Sequence, residues 1–216
     1  MAKKKTKKPI RSSKFAYWWP TYPEYVHPGT ADTRLDDYHW ALRNRHLMAR
    51  FNSVTTNIAR ARNEALAKAR DLDMDYLMMV DRDTYCPPGT APMGILYDHM
   101  REHDAAVIFG VVVCRQDYSV NALPSRPGEV YEAEGGAAMQ LIDVKAVCGA
   151  VEMPWFVDML NKEGTTREVG EDIFFHRMCK QAGLKVMADF TFPTIHSKSL
   201  AYSTEPLFEG VADGAD

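Results

Sequence analysis

Cysteine is scarce in this 216-residue chain, a long apolar run is missing, and the common nucleotide and hydrolase signatures are absent. The four cysteines, Cys86, Cys114, Cys148 and Cys179, stand far apart with no CxxC pair. That excludes a disulfide-stapled mini-protein, argues against a zinc site and leaves the thiols as small buried hydrophobes. The longest nearly unbroken apolar stretch, Ala105 to Cys114, is about half of a bilayer span, so no membrane span is expected and the stretch reads as a buried strand. The basic start is not followed by an apolar run and a small-residue cleavage site, so it is not a secretory signal and a reduced, cytoplasmic protein is expected. There is no GxGxxG after the first strand, no GxxxxGKS/T, no HExxH and no GxSxG. Nicotinamide enzymes, P-loop NTPases, zincin proteases and serine hydrolases thereby lose their usual supports.

What is present is an ordinary globular balance, 46% apolar and 25% charged residues, enough to bury a real core and too apolar for a disordered chain. The net charge of -3 hides an asymmetry. Seven of the 26 basic residues fall in the first 14 positions, which leaves 19 against 29 acidic ones and a net of -10 for the rest. Residues 1–14 read as a basic arm, 15–202 as one domain, and 203–216 as an acidic tail with no basic residue. The arm reads either as a solubilising tail or as a nucleic-acid contact.

Strands and helices alternate along the chain. Phe15–Trp19 is β-prone and stops at Pro20, ahead of a Pro- and Tyr-rich loop. Residues 33–50 and 57–70 are predicted helices, the second with Ile58, Ala61, Ala65, Leu66 and Ala69 on one face and Thr55 or Thr56 as its cap. Tyr76–Val80 is an all-apolar run expected of a strand covered on both faces. A helix near 91–102 leads into the Ala105–Cys114 strand, and 115–150 reads as irregular chain with short strands. Residues 171–182 form a helix closed by Gly183, and Lys185–Asp189 a further strand. This order predicts an α/β fold: a single Rossmann-like domain with a mixed, largely parallel central sheet flanked by helices.

The chemistry-bearing residues gather at element ends. Asp81 and Asp83 follow the Tyr76–Val80 strand, where open α/β sheets place their ligands. In extended chain, residues i and i+2 point the same way, so both carboxylates can face one hard cation; a polar turn is the plainer reading. Glu171 and Asp172 open a helix, as dipole-complementing acids or as a base beside a substrate. His196 lies just past a strand, as a ligand or an ordinary hydrogen-bonded histidine, and Lys198 is a phosphate contact or a surface charge. Arg60, Arg62 and Asn63 decorate an exposed helix face or reach a ligand; Trp155 and Phe156 are core or a sugar platform. The acidic run Asp71–Asp75 fails as a calcium loop, with Tyr76 where a Gly is needed and Arg82 where a Glu is needed, and reads as a solvated turn.

Taken in order, Asn57–Leu66, Asp75–Asp83, Val147–Ala150 with Met153–Phe156, and Gly170–Phe175 with Gly183–Val186 and Ile195-His196 resemble the GT-A-fold glycosyltransferases. The resemblance spans about Phe15 to Lys198 and is nearest to small single-domain members often encoded by bacteriophages, for which a host cytoplasm would be the compartment. It implies a nucleoside-diphosphate sugar donor and Mn²⁺ or Mg²⁺ as cofactor. Asp81 and Asp83 would match the DxD metal ligands, His196 a third ligand, and Pro20-Thr21-Tyr22, Arg62, Asn63 and Lys198 the donor contacts. Asp172 with Glu171 would match the acidic pair beside the acceptor, which stays open between protein, glycan and hydroxymethylated DNA. Arg82 in the middle of the DxD and the long aromatic first loop depart from the pattern. A metal-dependent nucleotidyltransferase and a non-enzymatic nucleic-acid-binding module are the competing classes.

Overall fold

The computed structural model describes residues 12–20, 27–53, 55, 57–114 and 126–196. Its core is an eight-stranded mixed sheet with helices on both faces. Strands β1 (Lys14–Pro20), β2 (Leu47–Ser53), β3 (Tyr76–Val80), β5 (Val107–Cys114) and β10 (Val186–His196) run in one direction. Strands β4 (Thr84–Tyr85), β6 (Val130–Glu132) and β7 (Met139–Asp143) run against them. The order is β2-β1-β3-β7-β5-β10-β4, with β6 also on β10. A separate hairpin joins β8 (Met159–Leu160) to β9 (Arg167–Val169). The expected mixed, largely parallel sheet is what the chain forms.

Side-chain alternation explains why both faces are dry. In β1, Phe15, Tyr17 and Trp19 enter one apolar cluster, while Ala16 and Trp18 enter the other. In β3, Met78 and Val80 face the first, Leu77 and Met79 the second. Helices α1 (Pro28–Arg43) and α3 (Pro92–His103) supply Ala41, Met93, Leu96 and Met100 to the first cluster. Helices α2 (Ile58–Asp71), α4 (Val144–Ala150) and α5 (Glu171–Gln181) supply Ala61, Leu66, Val147, Phe175 and Cys179 to the second. Gly94 permits the close approach of α3 to α1, because any Cβ there would run into the Trp40 indole.

Four expectations need correcting. The helix drawn over 33–50 is α1 over Pro28–Arg43, followed by a turn in which Arg45 takes a left-handed φ of 59°, and then strand β2. Leu47, Met48 and Ala49 favour helix in isolation, but in-register pairing with β1 overrides that preference. The cap of α2 is Asn57, whose side chain accepts from Arg60 N at 2.8 Å, not Thr55 or Thr56; such a cap contributes about 1 kcal/mol. Within 115–150, positions 139–150 are ordered as a central antiparallel strand and a helix capped by Asp143. The 71–75 run is more than a solvated turn: Asp73 and Asp75 bind Lys14 and Lys145, tying the start of β1 to α4.

Candidate functional site

The carboxyl end of β3 carries the turn Asp81–Arg82–Asp83, closed by Thr84 N–H donating to Asp81 O at 3.2 Å. The N-terminus of α1 fastens it. Thr30 Oγ1 lies 3.0 Å from the Arg82 carbonyl and 2.9 Å from that of Thr84, and His27 N–H donates to Arg82 O. The chain turns at Asp81–Asp83, each carboxylate has its own side-chain partner, and the two are close enough for the Asp83 charge to push Asp81 up. Asp81 reaches Arg62, whereas Asp83 Oδ1 meets His196 Nε2 at 3.0 Å. His196 is the last residue of β10 rather than a residue beyond it.

Arg62 is the hub. Its side chain is only 2% exposed, not on an open helix face. One Nη donates to Glu171 Oε1 at 2.8 Å; the other donates to Asp81 Oδ1 and to the Ala137 carbonyl, both at 3.0 Å. Burial works to lower the Arg62 pKa, but Asp81, Glu171 and Asp172 outweigh it and push it up. Burial raises Asp81 and Glu171 above the ordinary carboxylate range, against the pull of Arg62. At Asp83 burial acts upward too, yet the hydrogen bond from His196 holds it below its usual value. The other Glu171 oxygen lies 3.3 Å from Arg167 on β9, whose guanidinium also meets Asp158 at 3.4 Å.

Asp172, the next residue, faces the segment between β6 and β7. Its Oδ2 accepts from Ala137 N at 2.7 Å and its Oδ1 from Ile173 N at 2.8 Å. One turn on, the buried His176 accepts at Nδ1 from Gly135 N at 3.4 Å. This network assigns the ring proton to Nε2, which donates to Gln140 Oε1 at 3.3 Å. Ala138 O accepts from Asp81 N. Residues 135–138 (Gly-Gly-Ala-Ala) therefore form a backbone floor joining Asp81, Arg62, Asp172 and His176. In the sequence this segment reads as irregular chain, and His176 carries no motif of its own. Helical phase was the available signal: Arg62 lies three and four residues before Ala65 and Leu66, and His176 three before Cys179, on buried faces.

Asn63 turns inward. Its Oδ1 accepts from Trp155 N and Phe156 N, and its Nδ2 donates to the Ala59 and Phe156 carbonyls. Trp155 and Phe156 are core, 2% and 1% exposed, with Phe156 stacked on Phe175 at 4.3 Å. Pro20 ends β1 opposite Ser53. Thr21, Tyr22 and Lys198 lie outside the described residues, as do positions 1–11 of the arm and the whole tail. Among the described residues no group of three His, Cys, Asp or Glu side chains is gathered as a metal cage, and no helix is long and apolar enough to cross a membrane.

The sheet order and its flanking helices are those of the GT-A fold of glycosyltransferases. Solved structures bear the fold out. A197 from STIV superposes with a TM-score of 0.58 at 14% identity over 85% of each chain, and S. aureus TarS 1-349 with 0.52 at 12% identity over 85% of this chain and 60% of that one. The chain thus has the GT-A fold and resembles small viral members. No family model matches the sequence, and no curated protein matches it.

Proposed function

We propose that this protein is a metal-dependent glycosyltransferase that moves a sugar from a nucleoside-diphosphate sugar to a hydroxyl acceptor. The observation that carries the reading is the convergence of Arg62, Asp81, Glu171 and Asp172 with the Asp83–His196 pair at the carboxyl end of a GT-A sheet.

The donor set suits Mn²⁺ or Mg²⁺. Asp83 Oδ1 and His196 Nε2, 3.0 Å apart, are an oxygen and an imidazole nitrogen that would hold such a cation together. The cation would replace the proton that His196 shares with Asp83, and Asp81 would add its oxygen not bound to Arg62. Bound there, such an ion supplies Lewis-acid stabilisation of the departing diphosphate. Arg62 holds Asp81 and Glu171 in place and lends positive charge to the pocket wall. Asp172 is positioned by Ala137 N–H at the start of α5, where it would orient the acceptor hydroxyl or take its proton. Asn63 contributes by holding the Trp155–Phe156 backbone against α2. Thr21, Tyr22 and Lys198 are proposed donor contacts on the sequence resemblance alone.

The test is isothermal titration of the full chain with nucleoside diphosphates, with and without Mn²⁺, followed by product analysis. Mn²⁺-dependent binding, weakened at least tenfold by Asp83→Ala, is expected, with a nucleoside diphosphate released during transfer. Pyrophosphate release from a nucleoside triphosphate would make the protein a nucleotidyltransferase, and binding indifferent to Asp83→Ala would remove the metal from the mechanism.

A further inference from the structure

A second pair of arginines stands on the flank that α1 and the edge strand β2 make with the sheet, and it shares no residue with the Arg62 cluster. The guanidinium carbon of Arg34 is 4.0 Å from the centre of the Trp19 ring, and that of Arg50 is 4.3 Å from it. Register explains the meeting. Arg50 pairs opposite Tyr17 on β1, so its side chain leaves the sheet on the same face as Tyr17 and Trp19, the face that α1 covers. Trp19 is buried, Arg34 half-buried and Arg50 exposed.

Two like charges on one indole repel, and nothing in the described chain neutralises them. Among the described residues neither guanidinium lies within ion-pair distance of a carboxylate. The acids that follow Arg34 on α1 are already engaged: Asp36 accepts from Gly89 N, and Asp37 from Tyr17 OH and Met93 N. The Nε and Nη2 atoms of Arg34 are buried with no hydrogen-bond partner. Those two donors form the edge that grips a carboxylate or phosphate in paired bonds. Burial lowers Arg34 to about 10, with Tyr17 opposing the shift and the nearby Arg50 charge adding to it, so it is still a cation at neutral pH. The indole meanwhile shields one side of each guanidinium from water, which strengthens any charge pairing made there.

We propose that Arg34 and Arg50, clasping Trp19, form an oxyanion site on the α1–β2 flank that takes a phosphate or carboxylate group of a small molecule. The oxyanion meets the exposed Arg50 first, and a small rotation of the half-buried Arg34 side chain at the rim of the indole would turn its covered Nε–Nη2 edge to it, supplying the acceptor that edge lacks. The inference does not depend on the transferase reading.

The experiment titrates the full chain with inorganic phosphate at fixed ionic strength and without divalent cation, by calorimetry and by thermal unfolding. Saturable binding is expected, weakened at least tenfold in Arg34→Gln and in Arg50→Gln and unchanged in Asp83→Ala. Phosphate should raise the Tm of the wild type but not that of Arg50→Gln. In phosphate-free buffer Arg50→Gln should itself have a higher Tm than the wild type, because the repulsion is gone. Arg50→Lys, which keeps the charge, should keep a phosphate response. A parallel titration with acetate distinguishes a carboxylate-preferring site from a phosphate-preferring one. The inference is overturned when neither anion is bound, when binding survives both glutamine substitutions, or when it disappears with Asp83→Ala.

Discussion

Two arginines in this fold show opposite ways of keeping a guanidinium inside a protein. Arg62 is 2% exposed and gives hydrogen bonds to two carboxylates and a carbonyl. Arg34 is half-buried, faces a second cation across Trp19 and leaves its Nε and Nη2 unpartnered. Their acid–base properties diverge accordingly, Arg62 pushed up by its carboxylates despite burial and Arg34 pushed down by burial. A buried charge is tolerated where its counter-charges are built into the fold, and it is costly where they are not. Arg62 keeps only its Nε without a partner, while the two guanidiniums of the Trp19 flank have no counter-charge among the described residues.

The comparison breaks most decisively at Arg62. Arg62→Met leaves Asp81 and Glu171 facing each other across a pocket with no cation between them. Removing one partner from a buried pair costs about 3–5 kcal/mol, so urea unfolding at neutral pH should show a loss of that size. Arg34→Met should change stability by less than about 1 kcal/mol, since it removes a charge that has no counter-charge among the described residues. Equal losses in the two variants would show that burial depth, not charge pairing, separates the two arginines.

How much of this was legible follows from the same distinction. Asp81, Asp83, Glu171 and Asp172 could be picked out because they stand where apolar periodicity stops, at the end of β3 and the start of α5. Which charge met which could not, because pairing depends on how far the chain turns at Asp81–Asp83 and on the rotation of α2 about its axis. Strand β2 was hidden in residues with good helix propensity, and its strand character comes from β1, more than 30 positions earlier in the pairing. The floor at 135–138 acts through backbone groups of glycine and alanine, which carry no side-chain signature at all. The sheet and its layers were readable from alternation; the partners were not.

A sharper test between completed and incomplete burial uses His176, a polar group buried neutral with both ring nitrogens hydrogen-bonded. Burial lowers it to about 4, with Asp172 opposing the shift. Between the ordinary histidine value of about 6.5 and that lower one, the unfolded chain binds a proton that the folded chain refuses. Stability from this group is thus full above about pH 6.5 and falls as the pH drops towards 4, by about 3 kcal/mol in all. The raised carboxyls of Asp37, Asp81 and Glu171 act in the opposite sense, so the measurement is the difference between wild type and His176→Gln. That difference should shrink steadily from pH 6.5 to 4, and a flat difference would mean that His176 titrates normally in the fold.

The smallest effect should come from Arg167, which shares the Glu171 carboxylate with Arg62. Arg62 binds Oε1 at 2.8 Å from a buried position, whereas Arg167 reaches Oε2 at 3.3 Å with 58% of its side chain exposed. Solvent screens the outer pair and the long side chain loses entropy in holding it, so its contribution is below about 1 kcal/mol. A double-mutant cycle over Arg167→Gln and Glu171→Gln should return a coupling in that range that fades in 0.5 M salt. The matching cycle for Arg62 and Glu171 should return a larger coupling that salt barely moves, since water does not enter the inner pair. If the two couplings come out alike and equally salt-sensitive, the inner pair is wetter than its 2% and 6% exposures indicate, and the contrast between the Arg62 hub and the Trp19 flank narrows to geometry alone.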